Sequence, residues 1–326
     1  MHWEFLWALI FFSTAFWIFN KWSFFKNSGV SVYMLNGLLI FKIISAIFIS
    51  YYFIKSQTLD YLGFNAEGFA QYQVLIKTPS SFFSDWTNDV KNYGWGGLMN
   101  DSHSLWANIR FSLIYKFIAV MDLISRGNIY LNSMIFSTLV FGAQVCFFKI
   151  FNAIYSNQKP KIIITVFLLP SLLLYTSCFH KDGIVLIGLS IICHHLFSIF
   201  NKTFAFTFKN IFFILFASAL IFLLRNYVLM TVIISVIISL AYHYFEKRRW
   251  IVIFSIYSLA LFLFFLPFFH GNNLAQSLTK RKEDFSIVSK GNTDISVNPL
   301  QPNYISFVKN TPQSLNHALL RPYIFE

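Results

Sequence analysis

The sequence predicts an all-α integral membrane protein: about eight transmembrane helices and an extracytoplasmic loop that carries an amphipathic interfacial helix. Three observations predict this class. Of 326 residues, 56% are hydrophobic, 20% aromatic and only 12% charged, which is more apolar surface than a soluble fold of this length buries. Mean hydropathy is +0.59, and several apolar stretches reach the ~20 residues that cross a ~30 Å hydrocarbon core. The basic residues fall between those stretches, dense and sparse by turns, as they do where charge sets membrane orientation.

The first span, 3–19, has no basic residue ahead of it and no small-residue cleavage site after it, so it reads as a retained helix. The second, 30–54, carries Lys42 near its middle. Six more follow at 130–148, 162–179, 183–200, 207–224, 227–245 and 250–269. The domains are then an N-terminal two-helix hairpin (1–54), an extracytoplasmic loop (55–129), a six-helix bundle (130–269) and an extracytoplasmic C-terminal segment (270–326). In the last, "NTPQSLNHALLRPY" reads as a short helix with Thr311 as N-cap and Pro312 at its first position. The chain stops at "YIFE", as though cut before another span.

Segment 106–124 decides the topology. Asn108, Ser112, Tyr115, Lys116, Ala119 and Asp122 recur at helical spacing as one polar stripe, opposite Ile109, Leu113, Phe117, Val120 and Ile124. Three full charges make a lipid-exposed span costly, so the segment reads as an interfacial helix. One side of the membrane then receives Lys21, Lys26, Lys149, Lys159, Lys161, Lys202, Lys209, Lys247, Arg248 and Arg249, against Lys181 and Arg225 in the short loops opposite. A crossing at 106–124 would erase that bias. Both termini, the 55–129 loop, "HKDG" and Arg225 are therefore expected on the extracytoplasmic face.

A net charge of +12 raises nucleic acid as a partner, but the cations are scattered between apolar spans rather than gathered on one face. The cysteines Cys146, Cys178 and Cys193 fall inside apolar spans without paired spacing. His194 and His195 are adjacent and diverge around their helix, so no i, i+4 metal pair forms. No metal, no cofactor and no nucleic acid is expected; the bilayer is.

Chemistry is expected where charges interrupt the apolar spans. In "LLYTSCFHKDGIVLIG", His180, Lys181, Asp182 and Gly183 break the run from Ile162 to Phe200. The bland reading is a tight turn, with Asp182 capping the next helix, Gly183 easing the turn and Lys181 snorkelling. The functional reading has Lys181 and His180 meeting an anionic head group while Asp182 orients it. Arg225 interrupts "FLLRNYVLM", and its planar guanidinium suits phosphate, although an interfacial anchor is equally consistent. Lys42 is either functional, snorkelling or turned to a neighbouring helix. Among the loop carboxylates Asp60, Glu67, Asp85, Asp89 and Asp101, Asp60 lies nearest the membrane and is the first candidate for a general base. Tyr61, Phe64, Phe69, Tyr72, Phe82, Phe83, Trp86, Tyr93 and Trp95 form either a sugar platform or an interfacial belt.

"LLPSLLLYTSCFHKDGIVL" resembles a pattern in polytopic proteins of bacterial polysaccharide clusters, through Pro170, Ser171, Tyr175, Ser177, Lys181 and Asp182. "LLRNYV" (Arg225, Asn226) and "NTPQSLNHALLRP" are similar to later landmarks of that group. The resemblance covers roughly residues 105 to 326. It implies an exopolysaccharide or O-antigen polymerase, or a GT-C-like glycosyltransferase, in a bacterial inner membrane. Such an enzyme uses polyprenyl-phosphate-linked glycans at an outer active site and works beside other polysaccharide-assembly proteins. On that pattern the catalytic residues are Asp60 and Asp182, and Lys181, Arg225 and His180 bind substrate. The chain departs from the pattern in having no adjacent carboxylate pair after an early helix. A lipid-linked glycan flippase or other transporter is the first rival, a non-catalytic scaffold subunit the second.

The orientation is testable. In a variant without native cysteines, Ser156→Cys is expected to resist a membrane-impermeant thiol reagent in intact cells, and Asn88→Cys and Asn292→Cys to react. Equal labelling of Ser156→Cys and Asn292→Cys removes the alternation.

Overall fold

The computed structural model describes residues 3–85, 105–200, 207–244, 250–259, 279 and 298–320, and the regular structure among them is helical, with no strand. Helices follow from the solvent: in hydrocarbon every backbone N–H and C=O needs an internal partner. In chain order they are α1 (Trp3–Lys21), α2 (Ser23–Lys26), α3 (Val32–Lys55), α4 (Leu59–Lys77), α5 (Pro79–Ser84), α6 (Leu105–Ser125) and α7 (Ile129–Ile154). There follow α8 (Lys159–Ile163), a π-helical stretch (Ile164–Leu168), α9 (Pro170–Ser177), α10 (Lys181–Phe200), α11 (Phe208–Tyr244), α12 (Trp250–Leu259) and α13 (Tyr304–Leu320).

Four helices are long and apolar enough to cross a membrane: Val32–Lys55, Ile129–Ile154, Lys181–Ile199 and Phe208–Leu240. A fifth forms if Ser156–Leu168 and Pro170–Ser177, bent by 40°, act as one span. A multi-pass membrane protein fits this set, and it differs from the eight expected spans in three ways. The stretch at 162–179 is broken at Leu169 (φ −61°, ψ 121°), because Pro170 has no N–H to continue the preceding helix. The two stretches expected at 207–224 and 227–245 meet without a loop at a kink, whose non-helical residue is Arg225 (φ −146°, ψ 75°), and count together as one long apolar stretch, Phe208–Leu240. Leu9–Lys21 and Trp250–Leu259 count only as shorter apolar helices, and residues 260–269 lie outside the described part.

Two compact units are present, residues 1–230 and 231–326. In the first, basic residues gather at one end of the bundle. Lys149 Nζ donates to the Phe24 carbonyl at 3.2 Å, and Lys159 donates to the Gly29 carbonyl. From there α3 runs 24 residues, about 36 Å, to the end where α4 begins. Phe19, Phe25, Phe141, Phe148 and Phe167 form the apolar core near the basic end. Ser31 starts α3 by accepting the Met34 N–H at 3.3 Å, and Asn128 starts α7 by accepting those of Tyr130 and Leu131 at 3.1 and 3.2 Å.

The 55–129 loop is largely helical: α4 packs along α6 and α5 packs on α4. A Cβ on Gly68 would lie 2.3 Å from Ile118 Cγ2, so only glycine lets the two axes approach this closely. The polar stripe of α6 is turned inward, contrary to expectation. Lys116 is 6% exposed and Asp122 0%, whereas Val120 and Leu123 face outward at 52% and 51%. The stripe is used by protein partners. Lys116 donates to the Phe82 carbonyl. Asp122 Oδ1 accepts from Ser125 Oγ (2.9 Å), the Gly127 N–H (3.1 Å) and Asn132 Nδ2 (2.8 Å), clasping the turn into α7. Burial pushes the Asp122 carboxyl above its ordinary range, and those three bonds pull the other way.

The described part of the second unit includes α13. It begins at Tyr304 rather than at Thr311, with Asn303 Oδ1 accepting the Ser306 N–H at 2.7 Å, so Pro312 lies in its interior. Lys202, the Lys247 to Arg249 run and the final "YIFE" lie outside the described residues.

Gly68→Ala is expected to lower the stability of the detergent-purified protein by about 1–3 kcal/mol, the usual cost of forcing a methyl into a packed contact. Thermal unfolding checks this, and adding Ile118→Ala restores part of the loss.

Candidate functional site

The site lies at the end of the bundle opposite Lys149 and Lys159, where α9 gives way to α10. Cys178 (φ −106°, ψ 165°) closes α9, and α10 opens at Lys181. A Cβ on Gly183 would lie 2.5 Å from the Phe136 ring, so this glycine lets α10 settle onto α7. That contact, inside the helix, is its role rather than the easing of a turn. Phe179 is 1% exposed and meets the rings of Phe136 (5.0 Å), Phe117 (5.9 Å) and Phe64 (6.4 Å), which makes an aromatic floor.

Lys181 stands beside that floor. Its Nζ is 4.7 Å from the centroid of Phe64 and 5.3 Å from that of Phe111, a cation held between two rings. Among the described residues Nζ has no hydrogen bond or ion pair, so its three donors are uncommitted. The charges of Arg110, Asp60, Arg225 and Asp182 all act on it.

Asp182 does not cap α10. Its Oδ1 lies 3.2 Å from a terminal nitrogen of Arg225 and its Oδ2 lies 3.0 Å from His180 Nδ1. A protonated Nδ1 donates to the carboxylate; a bare Nδ1 accepts the Asp182 N–H instead, at 3.4 Å. Arg225 occupies the break in α11, and the Asn226 side chain takes the next amide, Tyr227 N–H, at 2.9 Å. Arg225 Nε is buried and has no hydrogen-bond partner among the described residues. One edge of the guanidinium is thus anchored to Asp182 while another donor is unfilled.

The structure therefore brings together His180, Lys181, Asp182 and Arg225, and places Asp60 near enough to act on Lys181. Asp60 is exposed in the first turn of α4, where a carboxylate also complements the helix N-terminus. Burial holds the Tyr115 phenol above its ordinary range, and the charges of Glu67 and Asp60 add to this. Arg110 is the member that sequence reasoning missed, although the signal was present. It falls on the side of its helix otherwise held by Leu113, Phe117 and Ile124, a charge on an apolar face. The proposed aromatic platform divides: Tyr61, Phe64, Tyr72 and Phe82 are 2–8% exposed and belong to the packing of α4 and α5, while Phe69 and Phe83 are 39% and 68% exposed. Asp89, Asp101, Trp86, Tyr93 and Trp95 lie outside the described residues.

Lys42 stands apart from this cluster but supports it. It is 2% exposed and donates to Thr176 Oγ1 at 2.5 Å, and Thr176 donates onward to the Leu172 carbonyl. The middle of α3 is thereby tied to the last turn of α9, four residues before His180. Tyr61 joins Ser50 (2.5 Å) and Ser133 (2.7 Å), bracing α4 against α3 and α7 at the same end. Among the described residues no three His, Cys, Asp or Glu side chains gather as metal ligands. None of the family models, curated proteins or solved structures compared with the chain matches it.

The Lys42 tie predicts an asymmetry. Thr176→Val strands a buried amine and is expected to cost about 1–3 kcal/mol, whereas Lys42→Met with Thr176→Val together costs less than Thr176→Val alone. Thermal unfolding of the two variants in one detergent measures the difference.

Proposed function

We propose that the chain is a membrane glycosyltransferase or glycan polymerase acting on polyprenyl-phosphate-linked sugars at the extracytoplasmic face of a bacterial inner membrane. The observation that carries this reading is the cationic cluster. Lys181 has uncommitted donors, and Arg225 is steadied by Asp182 while its Nε lacks a partner. Arg110 adds a third positive charge acting on Lys181. Side chains so arranged suit an anionic oxygen-rich group, because a guanidinium donates in a plane and an ammonium serves as a compact point charge. The resemblance around "HKDG" and "LLRN" points to the same chemistry, and the gathering of Lys149 and Lys159 at the opposite end agrees with an outward site.

In the reaction, Lys181, Arg225 and Arg110 hold the donor phosphate. Asp60 takes the proton of the acceptor hydroxyl as that oxygen bonds to the anomeric carbon. The bond from that carbon to the phosphate oxygen breaks, and its electron pair leaves with the polyprenyl phosphate, whose charge the cations meet. Asp182 acts through Arg225, as a positioning residue, and His180 steadies Asp182 from its other oxygen. The flippase reading draws on Lys42 as an embedded charge, but Lys42 is committed to Thr176.

Lys181→Ala and Arg225→Ala are each expected to lower polymer formation ~30- to 1,000-fold, the roughly 2–4 kcal/mol of a preorganised charged contact, with the protein still present in the membrane. Arg225→Lys keeps the charge but loses the planar fork, so it is expected to fall well below Lys181→Arg. Polymer length and amount in cells carrying each variant are the readout. Normal polymer from the Lys181→Ala, Arg225→Ala double variant overturns the reading.

A further inference from the structure

The helix α13 is amphipathic, and its exposed large apolar side chains form one stripe. Ile305, Val308 and Leu315 are 67%, 68% and 53% exposed, and at 3.6 residues per turn they share one stripe with Pro312. On the other side Ser306, Phe307, Asn310, Gln313 and His317 are partly buried, while Thr311 and Ser314 are exposed. The preceding segment folds back over that polar side. The Asn298 N–H donates to Gln313 Oε1 at 3.2 Å, and the Gln301 N–H donates to Ser306 Oγ at 2.9 Å. Asn310 Nδ2 turns back to the Ser306 carbonyl at 2.8 Å.

In water the apolar stripe stays wet, whereas beside a bilayer it is buried among apolar chains, the more stable arrangement. We propose that α13 lies on the surface of the membrane that the chain's own spans cross, with Ile305, Val308 and Leu315 sunk among the head groups and upper acyl chains. Two facts favour lipid as the occupant. The chain carries at least four helices able to cross a bilayer, and α13, at 17 residues, is not apolar enough to join even the shorter apolar helices of the chain. Lys309 flanks the stripe, where its ammonium reaches anionic head groups as its stem follows the apolar side.

The full chain without native cysteines, reconstituted in phosphatidylethanolamine–phosphatidylglycerol vesicles, provides the test. A bimane probe is placed at Ile305→Cys, Val308→Cys or Leu315→Cys, and for comparison at Asn310→Cys or Gln313→Cys. The first three are expected to be quenched by lipids brominated near the head group, more than by lipids brominated at the chain end, and to be shielded from aqueous iodide. Asn310→Cys and Gln313→Cys are expected to show little lipid quenching. Iodide quenching without lipid quenching at the three apolar positions overturns the proposal in favour of a water-exposed helix. Protection from both quenchers overturns it in favour of cover by protein, whether this chain or a second copy. A Val308→Asp, Leu315→Asp pair is expected to move an Ile305→Cys probe from lipid to water with polymer formation measured alongside, so the outcome is independent of the proposed activity.

Discussion

The contact between Asp182 and Arg225 fixes the geometry on which the rest of this end of the molecule depends. It joins the first turn of α10 to the one non-helical residue of α11, two elements that also meet where His195 stacks on Phe213 at 5.4 Å and where Gly188 faces Ile221. Both side chains are about a third exposed, at 40% and 32%, so the pair contributes little to stability and much to direction. A guanidinium on an unbroken helix would follow the regular spiral of its neighbours. The break at Arg225 frees it from that path, and Asp182 then sets where it points.

Behind this pair a broader constraint acts. Most polar side chains buried in the bundle find a partner within the protein, on their own helix or a neighbour, because lipid supplies none. Lys42 reaches Thr176, Tyr61 reaches Ser50 and Ser133, Gln144 reaches the Val166 carbonyl, and Asp122 gathers Ser125, Gly127 and Asn132. Apart from Ser125, which shares α6 with Asp122, each partner lies on a different helix or in a turn between helices, so these polar residues record which elements are neighbours. Gln144 shows this well, since the Val166 carbonyl it uses lies in the π-helical stretch, where the regular hydrogen-bond ladder is disturbed.

That constraint also explains what the sequence revealed and what it concealed. Apolar length was enough to place α3, α7 and α10, and the charges at 180–182 and 225 were enough to locate the cluster. Periodicity could not say which way an amphipathic helix faces. The polar stripe of α6 reads as water-facing, yet Lys116 and Asp122 are the buried side and Val120 the open one. The helix α4 was hidden for a related reason. "LDYLGFNAEGFAQYQVLIK" has glycines and β-branched or aromatic residues of modest propensity, and it is ordered by the close approach of Gly68 to Ile118, a tertiary fact. The arginine inside the apolar run of α11 marks the boundary between two helical stretches, which is a kink rather than a loop. In three dimensions a single residue's torsion angles suffice.

The weakness of the Asp182–Arg225 pair matters for the proposed chemistry. An exposed pair of this kind is worth about 0–1 kcal/mol, whereas a guanidinium gripping a phosphate in a half-closed site gains more. On the proposed reading an arriving phosphate competes for Arg225 at small cost, and Asp182 retains His180 as its second partner. Lys181 needs no such exchange. Its ammonium rests between Phe64 and Phe111, rings that offer attraction without a counter-charge, so the cation is held in place and still able to donate. A carboxylate in that position would hold the lysine more tightly and fill the donors a phosphate needs. On the proposed reading, the aromatic cradle keeps Lys181 ordered without a counter-charge in contact, and the half-exposed ion pair keeps Arg225 ordered with one that a phosphate displaces.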